Sequence, residues 1–320
     1  MLVKRAPDLT HADITPQSVH TNRRSFRLGL LATSGGMTGW KSLSPFLPGS
    51  GSDSVLTKLN DVVKWPYSTG EMQTSYQDVT TNNVFYEFGT GKRDLSENAK
   101  NFQTSPWSVS VEGEVKRPRT FTMDEIMKLA PLEERVYRFR CVETWSMVVP
   151  WIGYAFSALT KLVEPTSKAQ YVAFQSHYDP RQMPEGKNSG IELPFLEGLR
   201  IDEAMHPLMS LSVRMYGEVL PNQDGAPLGM VVSWKYGFKS IKSLVRIRFV
   251  EEQPPTTWSM GNFHECGFYS TANPNVDGPR SSQAKERRLG EYFRRPTLMF
   301  NGCGDQVASM YDGMDLRKYI

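Results

Sequence analysis

The stretch Tyr137-Arg-Phe-Arg-Cys141-Val-Glu-Thr-Trp-Ser-Met-Val-Val-Pro-Trp151 carries the strongest pattern in the chain. Tyr137, Phe139 and Cys141 alternate with basic residues, and this period of two predicts a β-strand that ends at the cysteine. The proline and aromatic residues that follow predict an irregular, aromatic-walled segment. A thiolate is a soft metal ligand and a strong nucleophile, and neighbouring arginines favour it over the thiol. Spacing alone still favours a buried structural thiol, because free cysteines are among the most buried residues.

Composition limits the possible classes of protein. The chain has 320 residues, of which 39% are hydrophobic and 22% charged, which suits one large or two smaller globular domains. The net charge is +3, but residues 1–44 carry six basic and two acidic side chains, so the remainder carries 3 − 4 = −1. This balance gives no reason to expect nucleic-acid binding. No apolar run reaches the roughly 20 residues that a membrane-spanning helix needs.

The three cysteines are Cys141, Cys266 and Cys303, and no Cys-x-x-Cys pair suggests a zinc site. One interpretation pairs Cys266 with Cys303, although connectivity cannot be read from a sequence. No Gly-x-Ser-x-Gly motif of a hydrolase is present. The histidines at 177, 206 and 264 are predicted to be structural.

The N-terminal region resembles a twin-arginine export signal. Asn22-Arg23-Arg24-Ser25-Phe26-Arg27-Leu28 is followed by a weakly apolar, Gly-rich run to Trp40. We therefore expect residues 1–44 to be an export signal that directs the protein to the periplasm, and residues 45–320 to form the folded domain.

Local patterns predict a mostly β structure with a few short helices. The segment 50–80 is polar and is expected to be an extended arm. Thr122-Met-Asp-Glu125 is a capping box that predicts a helix through Leu129. Lys235–Lys242 holds three lysines around a glycine, which suits either an anion-wrapping turn or a solvated basic hairpin. A further helix is predicted at 156–163, and strands at 107–115, 171–176, 228–234 and 244–249.

Longer segments resemble a known family. Arg140-Cys-Val-Glu-x-Trp-Ser-Met-Val-Val-Pro-Trp-Ile-Gly153 is similar to the metal-ligand segment of the sulfite-oxidase-type molybdoenzymes, especially the catalytic subunits of bacterial periplasmic protein-methionine-sulfoxide reductases. The segments 82–89 and 235–242 add to this resemblance, which extends from about residue 80 to the C-terminus. It implies an α+β, mostly β, molybdopterin-binding fold over residues 45–320. It also implies a monomeric catalytic subunit that lacks the immunoglobulin-like dimerisation domain of sulfite oxidases.

The resemblance also implies a Mo-molybdopterin cofactor, with Cys141 as the catalytic residue and metal ligand. The residues implied to bind the cofactor are Asn83, Tyr86, Glu87, Ser176, Asp224, Gly229, Ser240, Ile241 and Lys242. Asn82 is the alternative to Asn83, because Val84 stands where the family often has asparagine.

The chain departs from the family at two of these positions. The family commonly has asparagine and arginine where this chain has Asp224 and Gly229. An ionised Asp only accepts hydrogen bonds, and losing a bidentate arginine should weaken cofactor binding. Arg214, Lys235 and Lys239 are candidates to compensate.

The function implied is reduction of methionine sulfoxide, free or in oxidised exported proteins, in the periplasm. A membrane haem-binding, quinone-linked subunit would supply the electrons. Trp145, Trp234 and Tyr236 are expected to line an open substrate pocket. The alternatives are a molybdoenzyme acting on another S-oxide, an N-oxide or sulfite, and a cofactor-free exported binding protein or cysteine hydrolase.

Overall fold

The structure, a computed structural model, describes residues 62–261, 266–278 and 280–317. These residues belong to one compact unit, Thr57–Ile320. The predicted export signal lies outside the described residues, as do the first part of the predicted arm and His264.

Strands dominate the described part of the chain, which confirms the α+β, mostly β, prediction. The strands are β1 Val63–Lys64, β2 Ser108–Gly113, β3 Arg119–Thr122, β4 Glu133–Arg140, β5 Trp145–Ala155, β6 Tyr171–Ser176, β7 Leu196–Arg200, β8 Met209–Met215, β9 Glu218–Val219, β10 Gly229–Val232, β11 Leu244–Val250, β12 Lys285–Arg288 and β13 Arg294–Pro296. The α-helices are α1 Tyr76–Thr81, α2 Leu95–Asn98, α3 Met123–Ile126, α4 Ser157–Val163, α5 Ile201–Met205, α6 Thr257–Gly261 and α7 Gly304–Val307. Short 3₁₀ turns lie at Tyr86–Phe88, Pro184–Asn188, Asn222–Asp224, Gly237–Lys239, Met299–Gly302 and Ala308–Tyr311. No described helix is long and apolar enough to cross a membrane.

The described strands form two sheets. The larger runs β1-β4-β5-β12-β13, and β8 extends it by pairing with β5, β9 and β10. The smaller runs β3-β2-β11-β6-β7. Most neighbours are antiparallel, but β1 with β4, β2 with β11 and β5 with β12 are parallel. Side chains from both sheets share one apolar core, in which Phe121, Phe156, Leu211 and Phe249 are fully buried.

Local signals placed several elements correctly. Strand β6 has the predicted bounds, and α4 ends where Glu164 adopts a left-handed conformation before Pro165. The capping box at Thr122 is formed in both directions with Glu125, although the helix that it opens ends at Ile126. Helix α1 was not predicted; it interrupts the expected extended arm, and Ser75 caps it.

One expectation was wrong where the pattern was strongest. After the cysteine only residues 142–144 form an irregular turn, because Trp145–Ala155 forms the longest strand, β5. This strand pairs with β4 over eight residues, from Glu133↔Gly153 to Arg140↔Ser146, and also with β8. Residues 146–154 are all buried, so side chains on both faces of β5 are buried and the sequence shows no alternation of apolar and polar residues.

Candidate active site

Cys141 is the first of the four residues that join β4 to β5, and the three-residue turn 142–144 follows it. Its backbone N–H donates to the Trp145 carbonyl at 2.9 Å, and its own carbonyl accepts from the Thr144 N–H at 3.0 Å. Thr144 has φ 73°, in the left-handed region that a three-residue hairpin loop needs at its last position. A β-branched residue is rarely found there and costs roughly 1–3 kcal/mol. The turn that presents the thiol is therefore held under backbone strain.

The buried side chain of Arg140 stabilises this turn from the interior of the protein. The guanidinium is buried, donates to the Cys141 carbonyl, and forms an ion pair with Glu286 at 3.1 Å. It also donates to Gln283 Oε1 at 3.0 Å. Arg138 binds Glu71 at 2.7 Å instead of the thiol. Both neighbouring arginines therefore anchor structure, and the positive charge of Arg140 also lowers the pKa of the Cys141 thiol, as the sequence predicts.

Burial controls the chemistry of the half-buried Cys141 thiol. Desolvation raises its pKa to about 12, against smaller opposing effects of the Glu143 backbone N–H, Lys92 and Arg140. A thiol in this state is a poor nucleophile at neutral pH, whereas a bound cation deprotonates a coordinating thiol outright. This environment suits a metal ligand better than a cysteine nucleophile.

All ten residues proposed from the sequence line one cavity of about 160 Å³. They come from six separate segments of chain: Asn83, Tyr86 and Glu87; Cys141; Ser176; Asp224; Gly229; and Ser240, Ile241 and Lys242. The fold brings these segments together, while the role of each residue remains a prediction.

The inner wall of the cavity is polar and almost fully buried. The Asn83 amide donates to Asp224 Oδ1, and Ser176 Oγ donates to Glu87. Burial raises the pKa values of Asp224 and Glu87 to about 7 each. Asn83 Oδ1 and Asp224 Oδ2 are buried and have no hydrogen-bond partner among the described residues. Such orphaned atoms need explaining, and a polar ligand in the cavity would satisfy them.

The segment 235–242 is not the solvated basic hairpin that was one of its two interpretations. Lys235 and Lys239 are fully buried and form ion pairs with Glu203 at 2.6 Å and Glu197 at 2.5 Å. Neither lines the cavity, and neither does Arg214, so none is placed to replace the missing arginine at 229. Only Lys242 of the three lysines lines the cavity, and its Nζ donates to the Gln223 carbonyl at 2.7 Å.

Two backbone N–H groups complete this end of the cavity. Within the described part of the chain, the N–H groups of Ile241 and Lys242 donate to no protein acceptor. Ser240 Oγ accepts from the Val232 N–H at 3.0 Å, which fixes the loop against β10. Consecutive unpaired N–H groups beside an ammonium group form an anion-binding arrangement.

Partly exposed aromatic residues form the solvent-facing side of the cavity. Trp258 packs edge-on against Tyr86 at 5.5 Å and against Phe238 at 6.2 Å between ring centroids. Trp145 donates to Glu143, which also pairs with Lys92. Trp145 lines the cavity, and its role toward a substrate stays a prediction. Trp234 is buried and donates to Tyr311, and Tyr236 lies beside Arg140, so neither lines this cavity as expected.

Asn82, the alternative to Asn83 in its motif, also lines the cavity. The lining residues that sequence reasoning missed are Val79, Val84, Phe85, Phe139, Val142, Glu143, Met147, Trp151, Phe195, Met230, Val231, Gly237, Phe238, Trp258, Cys266 and Arg280. The disulfide interpretation was wrong, because Cys303 is a free thiol 3.7 Å from Ser233 Oγ. His206 is structural as predicted: its ring contacts the Gln306 carbonyl and the Leu208 N–H.

The donor set fits molybdopterin. The cavity offers a thiol for a soft metal, a cationic side chain with two free N–H groups for a phosphate, and unsatisfied amide and carboxyl oxygens for a pterin edge. Gly229 leaves that wall open: a Cβ there would lie 3.7 Å or more from its neighbours. The missing arginine therefore removes one cation but does not obstruct the cavity.

Comparison with known proteins agrees with this fit. The family model described as "Oxidoreductase molybdopterin binding domain" matches residues 96–258. The protein-methionine-sulfoxide reductase catalytic subunit MsrP of Burkholderia mallei is 52% identical over 318 residues, covering 98% of this chain and 96% of the relative. The protein of the same name from Ralstonia nicotianae is 48% identical over 336 residues, covering 100% of both chains. The crystal structure of the sulfane dehydrogenase SoxCD from Paracoccus pantotrophus matches 58% of this chain and 50% of its own, with a TM-score of 0.42 and 12% identity, too low to support an argument.

Proposed function

Since the chain belongs to the family of protein-methionine-sulfoxide reductase catalytic subunits, with their molybdopterin-binding oxidoreductase domain, we propose that it reduces methionine sulfoxide to methionine. The substrate is the free amino acid or the oxidised side chain of an exported protein. The observation that carries the proposal is the convergence of Cys141 and the nine expected cofactor-binding residues on one cavity.

The proposal assigns a binding role to each part of the cavity. Cys141 ligates the metal, and Lys242 with the N–H groups of Ile241 and Lys242 binds the terminal phosphate of the cofactor. Asn83 Oδ1 and Asp224 Oδ2, which have no partner among the described residues, form hydrogen bonds with the pterin. When bound, the molybdenum cofactor supplies the two-electron chemistry that removes the sulfoxide oxygen as water.

The aromatic side of the cavity suits the substrate. Trp145 and Trp258 are half-buried and line the cavity, so they offer apolar surface to the thioether and its methyl group. The Glu143 carboxylate keeps a pKa below its ordinary value: burial raises it, but the hydrogen bonds from Lys92 and Trp145 more than offset this. Arg280 and Lys92 bring positive charge near the same side.

The partner and the compartment are part of the proposal. A catalytic subunit needs an electron donor, and we assign this role to a membrane haem-binding subunit that quinone reduces. The Asn22–Leu28 segment supports twin-arginine export to the periplasm, where oxidised exported proteins would be the substrates.

A reduction assay tests the proposal. Cofactor-loaded protein with a reduced viologen dye as donor should reduce methionine sulfoxide with a higher kcat/KM than dimethyl sulfoxide or trimethylamine N-oxide. Cys141→Ser should lose roughly 100-fold or more, an effect of the size that loss of a group acting in the transition state produces.

Cys303→Ser is the matched control, because Cys303 is also half-buried but does not line the cavity. It should keep the wild-type rate. Equal activity of Cys141→Ser and wild type would refute the site. A strong preference for an N-oxide, or oxidation of sulfite in place of sulfoxide reduction, would assign the chain to a different molybdoenzyme activity.

A further inference from the structure

The hairpin of β12 and β13 presents a basic face to solvent. Burial alternates along β12, so Lys285 and Arg287 are exposed while Glu286 and Arg288 are buried. In the register of the hairpin, Arg287 lies directly opposite Arg294, which is also exposed. Three cationic side chains therefore share one small surface.

Nothing in the described structure neutralises this face. Glu286 is committed to Arg140 and Ser146, and Glu291 binds Arg295. No ion pair involves Lys285, Arg287 or Arg294 among residues 62–261, 266–278 and 280–317. Like charges directly opposite each other destabilise a strand pair. The hairpin thus keeps an unfavourable arrangement that an anionic partner would relieve.

The loop of the same hairpin carries an exposed aromatic pair. Tyr292 is 86% exposed and Phe293 is 78% exposed, and their rings pack edge-to-face at 5.0 Å between centroids. These are the most exposed aromatic side chains of the described chain. Aromatic side chains with this exposure are enriched at interfaces and at membrane surfaces, where one side of the ring is apolar and the other is wet.

The charge pattern restricts what can bind there. A second copy related by a two-fold axis through this face would set arginine against arginine. The N-terminal residues 1–44 carry six basic and two acidic side chains, so they do not complement the face either. The occupant must be anionic, and it must also accept two aromatic rings.

We propose that the β12–β13 hairpin docks the protein on an anionic phospholipid bilayer. Lys285, Arg287 and Arg294 face the lipid phosphates, while Tyr292 and Phe293 enter the boundary between headgroups and acyl chains. The backbone N–H of Arg287 donates to the Thr144 carbonyl at 2.8 Å, so the hairpin is joined directly to the turn that carries Cys141. Docking through it would hold the cavity close to the membrane. The inference does not depend on the proposed reaction.

Vesicle co-sedimentation of the mature, cofactor-loaded protein tests the proposal. The probes are vesicles of pure phosphatidylcholine and of phosphatidylcholine mixed with phosphatidylglycerol. The wild type should bind only the anionic vesicles and should dissociate at high salt. Arg287→Gln/Arg294→Gln should weaken binding roughly 25-fold, since each basic side chain at an anionic surface strengthens binding about fivefold. Tyr292→Ser/Phe293→Ser should also weaken it, without changing the salt dependence.

Matched controls are Lys128→Gln/Lys168→Gln, which removes two exposed lysines elsewhere, and Tyr67→Ser, which removes another exposed aromatic ring. These variants should bind like the wild type, and all variants should reduce methionine sulfoxide at the wild-type rate in solution. Failure of the wild type to bind anionic vesicles would overturn the proposal. In that case an acidic protein would be the better candidate for the partner. Unchanged vesicle binding by Tyr292→Ser/Phe293→Ser would also overturn the proposal, because the two rings would then not enter the bilayer.

Discussion

At the scale of single residues, Asp224 shows how burial changes the chemical effect of replacing an asparagine by an aspartate. The family's asparagine both donates and accepts hydrogen bonds, whereas an ionised aspartate only accepts. Asp224 is buried, and desolvation raises its pKa to about 7 despite Lys242 and the Asn83 amide. Near neutral pH a large share of its carboxyl groups is therefore protonated and able to donate. The aspartate in place of the family's asparagine therefore changes the hydrogen-bonding capacity at position 224 less than the sequence suggests.

This residue predicts a pH dependence of stability for the cofactor-free protein. An unfolded aspartate has a pKa of about 3.9, so between about pH 4 and pH 7 the folded state holds a proton that the unfolded state has lost. Stability from this group is complete below about pH 4 and falls as the pH rises toward 7. Asp224→Asn should remove a slope of at most about 1.4 kcal/mol per pH unit from the free energy of unfolding.

Urea denaturation at about pH 5 and about pH 8 measures this slope. The control is Asp312→Asn, at an exposed aspartate. If Asp224→Asn and wild type lost stability in parallel between the two pH values, the carboxyl of Asp224 would not be held protonated by burial.

At the scale of elements, two buried ion pairs fix the loop that carries Ser240 to Lys242. Lys235 bonds Glu203 and the Tyr269 carbonyl, and burial lowers the Lys235 pKa to about 8. Lys239 bonds Glu197 and the carbonyls of Gly198 and Phe268. The lysines thus tie the loop to β7 and α5 while the cavity-facing residues stay available for a ligand.

Breaking one of these buried ion pairs should destabilise the folded protein. Glu197→Gln leaves the Lys239 ammonium buried without its counter-charge and should lower the free energy of unfolding by about 3–5 kcal/mol. Replacing both partners, as in Glu197→Leu/Lys239→Met, should recover much of this loss, because no isolated charge remains. Chemical denaturation compares the three proteins, and a loss below about 1 kcal/mol in Glu197→Gln would contradict this role of the pair.

At the scale of the whole molecule, the sequence predicted those features that depend on interactions between residues close together in the chain. The alternation in β4, the capping box at Thr122 and the bounds of β6 depend on neighbours within a few residues, so the sequence contains them. Strand β5 was missed because its pairing with β4 and β8 is tertiary. The buried lysines were ambiguous because Glu197 and Glu203 lie more than 30 residues away along the chain. The site residues came from family resemblance, while their meeting around one cavity came from the fold.

The central claim is that the two sheets bring Cys141 to a molybdopterin cavity as the metal ligand. Molybdenum-edge X-ray absorption of cofactor-loaded wild type and Cys141→Ser tests it most directly, since it counts the sulfur ligands of the metal. We expect the metal in the wild type to have one sulfur ligand more than in Cys141→Ser, with Cys303→Ser identical to the wild type. The same sulfur count in wild type and Cys141→Ser, or wild type that retains no molybdenum, would contradict the account.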